Sequence, residues 1–443
     1  MTRHFATAFA VAFAVGAMGS ARADWPQWRG PLGTGAAPGA TPPLTWSESQ
    51  NVRWKLPLDG RGHSSPVVAG GRVFVTMAVP VGDGVAPVFD EAPGSHDNLG
   101  VTHTHSFRVL AVDLESGQQK WVQEVARAFP HEGGHTTGSL ASHSPVTDGT
   151  SVYAFFGSRG LYCLNAADGT LRWKRDFGKL TTHHAHGEGA SLALHDGILV
   201  VPWDQESDSR VFALDAATGR ELWSSPRDEI TSWSTPVVTA VAGKAQVILS
   251  ATTRIRGYDL ATGRVSWECG GMSRNVIATP VAADGRVYCG CSYDRRAMIA
   301  ISLEGATGDI TDTDHVLWST NQRTPYVPSP LLYDGKLYFL SHYQGILSCL
   351  HGASGQRAAL PMRLNDIHDV YASPVGASGR VYVTDRSGVT VVVKHDESLA
   401  ELARNQLDDT FSASAALVGP DLLLRGDRHL YCLRESATPT ASR

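Results

Sequence analysis

Residues 213–223 read Ala213-Leu214-Asp215-Ala216-Ala217-Thr218-Gly219-Arg220-Glu221-Leu222-Trp223. An apolar run ends in Asp, a Thr-Gly turn follows, and Trp sits at the start of the next extended run. Gly takes a positive φ at no steric cost, so Thr-Gly marks a hairpin. The pattern returns at Val112-Asp113 through Gly117 to Trp121, and at Leu164-Asn165 through Gly169 to Trp173. It returns again at Tyr258-Asp259 through Gly263 to Trp267. In all four copies Trp follows Gly by four residues.

Upstream of each copy stand two apolar strands and a short polar start. The starts are Ser65-Pro66, Ser144-Pro145, Thr235-Pro236, Thr279-Pro280, Ser329-Pro330 and Ser373-Pro374, with Glu188-Gly189-Ala190-Ser191 as a version lacking Pro. A period of about 40–50 residues with four short strands per unit predicts a β-propeller. Units beginning near residues 63, 143, 188, 233, 277, 328, 371 and 411 make eight blades. The last unit, Ser412 to Arg434, has only three strands. The segment Val52-Arg53-Trp54-Lys55-Leu56 has the look of an outer strand without a blade, so it is expected to complete the eighth and remove an open edge. A helical pattern is expected only around Leu399–Arg404.

Length and composition agree. The chain has 443 residues, 42% apolar and 18% charged, with 45 Gly. That length calls for several ordinary domains or one large repeat architecture. The low charge and high Gly content argue against disorder and coiled coil. A net charge of -5 with no basic run excludes a nucleic-acid partner. Residues 1–23 read as a cleaved signal peptide: Arg3, an apolar run from Phe5 to Ala17, and Ala21-Arg22-Ala23 before the cut. The expected domains are this leader, one propeller over 24–435, and a disordered tail over 436–443. The protein is expected to be periplasmic or secreted and monomeric, without a membrane span or lipid anchor. Three of the six Cys stand in matching contexts around Cys163, Cys349 and Cys432, and Cys289 and Cys291 share one strand face. Equivalent positions in separate blades cannot all touch, so free buried thiols are expected.

The Asp-x-x-Thr-Gly-x-x-x-Trp element resembles the docking motif of pyrroloquinoline quinone (PQQ)-like propellers. Asp24-Trp25-Pro26-Gln27-Trp28-Arg29-Gly30-Pro31 is similar to the mature start of exported bacterial PQQ-binding-like repeat proteins. Tyr326-Val327-Pro328-Ser329-Pro330 and Val370-Tyr371-Ala372-Ser373-Pro374 extend the match. The resemblance covers nearly the whole mature chain and implies an all-β, eight-bladed PQQ-like propeller. Resemblance to the quinoprotein dehydrogenases would place Glu188 and Asn275 as calcium ligands and Trp233 as a stacking platform. Their adjacent Cys pair is missing; this chain has only Cys289-Gly290-Cys291. Resemblance to the barrel-assembly lipoprotein implies a scaffold without cofactor, but its lipid-bearing Cys is missing too.

Blade topology sorts the unusual residues. Loops between second and third strands, and from each fourth strand to the next blade, share one face; the Thr-Gly turns lie on the other. The first face receives His96, Asp97, His103 and His105, then His131, Glu132, His135 and His143, then His183, His184, His186 and Glu188. Neutral imidazoles bind Zn or Cu, and His103, His105, His183 and His186 are the candidate ligands. Asp204, Glu206 and Asp208 add carboxylates. The remaining blades supply Arg254, Arg274, Arg295, Arg296, Arg323, Arg386 and Arg425, joined by Arg159, a set suited to anions. Residues just before the blade starts, His63, His143, Glu188, Trp233, Asn275, Tyr326 and Tyr371, are expected at the channel mouth. With Arg159, Arg274 and Arg295 they form the candidate ligand site. Each group also has a plain reading: solvated or capping His, Arg paired with blade carboxylates, aromatics that only plug the channel.

Three functions follow. The first is an envelope scaffold or binding module for a protein or for a small, carbohydrate-like anionic ligand. The second is a PQQ- and calcium-dependent oxidoreductase. The third is a His-metal enzyme on blades one to three.

Overall fold

The computed structural model of the chain describes residues 24–90 and 92–436. The expected leader, residues 1–23, and most of the expected tail, residues 437–443, lie outside the described residues. Eight sheets span residues 67–128, 146–175, 193–227, 237–270, 281–320, 331–363, 375–406 and 416–433; their pairings are antiparallel except that Gly308–Asp309 joins the fourth sheet as a parallel fifth strand. The eighth sheet takes its outer strand from Val52–Pro57, which pairs with His429–Leu433. The chain is therefore an eight-bladed propeller closed by its N-terminal strand. Glu401–Gln406 is an outer strand paired with Val389–Lys394, which corrects the helix expected around Leu399–Arg404. Here alternation across a half-buried edge, not a helical stripe, sets the pattern.

Middle strands are buried on both faces because each blade is sandwiched between two others. Phe74, Val109 and Ala111 of blade one pack against Val152, Ala154 and Leu164 of blade two. All six Cys are buried and free.

The repeated motif is a device for joining blades. Asp215 Oδ1 accepts hydrogen bonds from Thr218 N (2.9 Å) and Thr218 Oγ1 (2.8 Å), which fixes the turn. Gly219, at φ +70°, then lies under Trp173 of the preceding blade; a Cβ there would sit 2.6 Å from the indole. Trp173 Nε1 donates to Ala216 O at 3.0 Å. Trp121, Trp223 and Trp318 reach the next blade in the same way through Ala166 O, Leu260 O and Gly352 O. Trp54, on the closing strand, reaches Leu114 O of blade one at 2.9 Å. Trp267 departs from the pattern and donates to Gln246 Oε1 of its own sheet. The next blade's turn is enlarged, and its Gly308–Asp309 strand lies beside Trp267 and Glu268 instead.

The N-terminal segment crosses the face that carries the Thr-Gly turns. It pairs Trp25 with Val68, and Ala36 with Gly376. Arg29, 2% exposed, donates to the carbonyls of Pro374 (2.8 Å), Pro330 (2.6 Å) and Thr34 (3.3 Å). This segment closes the channel floor. Among the described residues no helix is long and apolar enough to cross a membrane.

Candidate functional site: the channel mouth

Every blade start contributes one Ser or Thr to a ring around the channel. Ser65 N donates to Ser144 Oγ, Ser144 N to Ser191 Oγ, Ser191 N to Thr235 Oγ1, and Thr235 N to Thr279 Oγ1. Thr279 N donates to Ser329 Oγ, Ser329 N to Ser373 Oγ, Ser373 N to Ser414 Oγ, and Ser414 N back to Ser65 Oγ. All eight distances fall between 2.8 and 3.0 Å. An edge strand of each blade faces the axis, and its first amide would be a buried orphan without this partner.

Above the ring lies a cavity of about 380 Å³. Its floor is Trp28, whose Nε1 donates to Ser414 Oγ at 3.2 Å. His63, Glu188, Trp233, Asn275, Tyr326 and Tyr371 all line it. Trp233 is held by Nε1–H to Gly187 O (2.7 Å). Asn275 sits at φ +53°, a region Asn tolerates, and its buried Oδ1 has no partner. Tyr326 stacks on His342 (4.5 Å, 7°) and on Tyr293 (5.8 Å, 22°). Arg386 lies over the Tyr371 ring at 4.9 Å and pairs with Asp369.

Glu188 bends behind the wall. Its Oε2 accepts Ser158 N (2.7 Å) and its Oε1 accepts Ser158 Oγ (2.6 Å). Burial pushes its carboxyl up to about 7, opposed by the Arg159 charge and the Ser158 hydrogen bonds. Gly157, at φ +53°, makes room: a Cβ there would fall 1.4 Å from Glu188 Oε2.

Other expected ligand residues stand apart from the cavity lining. The His143 ring turns into the blade wall, edge-on to Phe155 at 4.8 Å, and burial pushes it down to about 3. Arg159 donates to His131 Nδ1 at 3.1 Å behind the wall. Arg274 is exposed and donates to Asp294 Oδ2 at 2.8 Å, and Arg295 is exposed. Arg254 pairs with Glu268 and Arg425 is buried, so the basic sector is largely spent on structure.

The loop imidazoles gather around His186, whose ring lies 4.8 Å from His96, 4.9 Å from His135 and 5.3 Å from His184. His96, His135 and His186 line one side of the cavity. His183 Nδ1 instead meets Glu206 Oε2 at 3.1 Å. His105 Nδ1 donates to His103 O, and His103 Nδ1 meets Thr102 Oγ1. Among the described residues no group of three or more His, Cys, Asp or Glu is placed to hold a metal ion.

Sequence reading located seven of the Ser/Thr positions, began the eighth unit at Ser412 rather than naming Ser414, and missed their hydroxyl chemistry. It also missed Trp28, Tyr293 and Tyr343 in the lining. The Ser/Thr-Pro signal was available; the loop aromatics carry no periodic signal.

A family model described as outer membrane protein assembly factor BamB matches residues 79–207, 105–358 and 207–436. BamB from Moraxella catarrhalis is similar in structure, with TM-score 0.58 and 13% identity over 86% of this chain and 99% of that one. A europium-containing methanol dehydrogenase gives TM-score 0.59 and 10% identity, over 91% and 89%. Quinohemoprotein alcohol dehydrogenase ADHIIG from Pseudomonas putida HK5 gives 0.57 and 10%, over 95% and 82%. At such identities the likeness concerns the fold alone. No curated protein matches the chain.

Proposed function

The chain belongs to the PQQ-like β-propeller family described as outer membrane protein assembly factor BamB, and from that premise we propose that it is a binding module of the cell envelope, monomeric and exported, whose ligand site is the channel cavity. The observation that carries this reading is the cavity itself: about 380 Å³, floored by Trp28 and lined by aromatic and polar side chains from most blades. Pockets of about 300–1,000 Å³ with an apolar wall and a few fixed polar groups suit small ligands.

Calorimetric titration of the native chain with a panel of quinone, saccharide and nucleoside probes tests it. One-to-one binding that is lost in Trp233→Ala supports the reading. No binding by any probe, together with a captured protein partner indifferent to Trp233→Ala, overturns it in favour of a scaffold.

A PQQ- and calcium-dependent oxidoreductase is the second reading, since two of the similar structures are alcohol dehydrogenases. The residues present do not fit that pair. PQQ carries three carboxylates, and no Arg or Lys lines the cavity. Glu188 spends both oxygens on Ser158, which leaves Asn275 as the one member of the expected calcium pair with a free oxygen. PQQ added with calcium is expected to show no calcium-dependent stoichiometric binding by calorimetry.

A further inference from the structure

Each hydroxyl of the Ser/Thr ring has spent acceptor capacity on a neighbour's amide. A hydroxyl also carries one proton to donate. Among the described residues no protein acceptor takes that proton from any of the eight, although each side chain is at most 7% exposed. Six of them, on Ser65, Ser144, Ser191, Thr235, Ser373 and Ser414, line the cavity. Buried donors are seldom left unmet, so these six call for water or a ligand rich in acceptors.

The wall above the ring narrows the choice. Trp233 lines the cavity without a ring partner among the described residues and offers an apolar face, while Tyr326 is held in a stack with Tyr293 and His342. Asn275 Oδ1, on a residue 4% exposed, and Ser412 Oγ both lack partners and both line the cavity. Asn275 Oδ1 accepts no hydrogen bond, although the Asn275 side chain also interacts with the Tyr326 hydroxyl, so a ligand that brings a donor would satisfy it. A carboxylate or phosphate would satisfy the hydroxyl ring but bring no such donor. It would also find no Arg or Lys in the lining. A cyclic polyol supplies acceptors, donors and a C–H face together, without charge.

We propose that the channel cavity binds a neutral pyranose, seated on the Ser/Thr hydroxyls that line it with its C–H face against Trp233 and a hydroxyl donating to Asn275 Oδ1. This rests on the cavity being the ligand site. It removes the negative charge expected of the ligand, because the top-face arginines are paired, buried or outside the lining.

The test uses the native chain with glucose, N-acetylglucosamine, maltose and cellobiose against glucuronate, galacturonate and PQQ. Calorimetry gives affinities and saturation-transfer NMR maps the contact face. At least one neutral sugar is expected to bind, with transfer strongest at ring C–H protons. Its acidic counterpart is expected to bind at least about tenfold more weakly. Thr235→Val, which keeps shape but removes the hydroxyl, is expected to lose about two- to tenfold, the worth of one neutral hydrogen bond. Thr235→Ser is expected to match the native chain, and Trp233→Ala to lose at least about tenfold.

Tighter binding of the acidic sugar, or equal affinity in a folded Thr235→Val chain, overturns the proposal. If Thr235→Val fails to fold, the neutral-to-acidic ratio and the transfer map on the native chain decide. If no sugar binds but another probe does so in a Trp233-dependent way, the pyranose is wrong and the cavity reading stands. If nothing binds, both fall.

Discussion

The backbone amide of Ser414 donates to Ser65 Oγ at 2.9 Å, joining residues 349 apart in sequence. This bond closes the hydroxyl ring across the seam between the last blade and the first. Ser65→Ala would leave the Ser414 amide buried and unpaired, at a cost of about 1–3 kcal/mol. Ser65→Thr is expected to stay near the native value, since Thr235 and Thr279 already serve in the ring. Urea denaturation midpoints at constant slope would separate the two outcomes.

The seam has a second fastening at the outer rim. Trp54 covers Gly117, where a Cβ would stand 2.6 Å from the indole at φ +72°. Trp54→Ala is expected to cost about 3–5 kcal/mol, the range for deleting a buried large aromatic. Amide exchange in His429–Leu433, the strand that Val52–Pro57 covers, should speed up more than exchange in blades three to five. Equal acceleration everywhere would mean that the rim contact adds only global stability.

The fold was readable because each blade solves one joining problem with one set of residues. The Asp cap, the positive-φ Gly and the Trp must recur at fixed spacing to meet across blades, so period alone exposes them. The eighth blade was readable because Ser412–Arg434 lacks a strand and Val52–Leu56 has one to spare. The site was readable only as backbone positions. His143 immediately precedes Ser144, as a mouth residue should, yet its ring packs on Phe155. Spacing places a Cα near the axis; side-chain direction at a loop depends on neighbours from other blades. Arg29 shows the same gap: nothing local marks it as the group that binds prolyl carbonyls of blades six and seven.

Arg29 gives the third prediction. Burial pushes its guanidinium down to about 9, so it stays charged at neutral pH, and it holds three carbonyl oxygens. Hydrogen bonds from charged groups contribute about 1.5–3 kcal/mol each. Arg29→Met keeps bulk and removes all three. The expected result is faster proteolytic nicking in residues 24–50, ahead of cleavage in the blades. An unchanged nicking rate would show that Trp25 and Trp28 suffice to hold the floor.

Two buried titrating groups pull stability in opposite directions with pH. His143 ionises near 3 when folded, against about 6.5 unfolded, because burial disfavours its charge. The unfolded chain therefore takes the proton first, and stability falls as pH drops from about 6.5 toward 3. Glu188 ionises near 7 when folded, against about 4.5 unfolded, again through burial. There the folded chain holds the proton longer, so stability falls as pH rises from about 4.5 to 7. Each tenfold change in proton affinity is worth about 1.4 kcal/mol, which makes both slopes measurable. His143→Phe keeps the ring contact with Phe155 and should lessen the acid-side slope, leaving the part that His131 and His186, both pushed down to about 4 by burial, contribute. Glu188→Gln should lessen the neutral-side slope, leaving the part due to Glu229, which burial also pushes up to about 7, and keep the slope below about pH 4.5 intact. Melting profiles from pH 3 to 8 would show the two changes separately. Between about pH 4.5 and 6.5 the two groups act together with opposite sign, so the flanks on either side assign each change; a variant that altered the far flank as well would show the two groups titrating as one coupled unit through the wall between them.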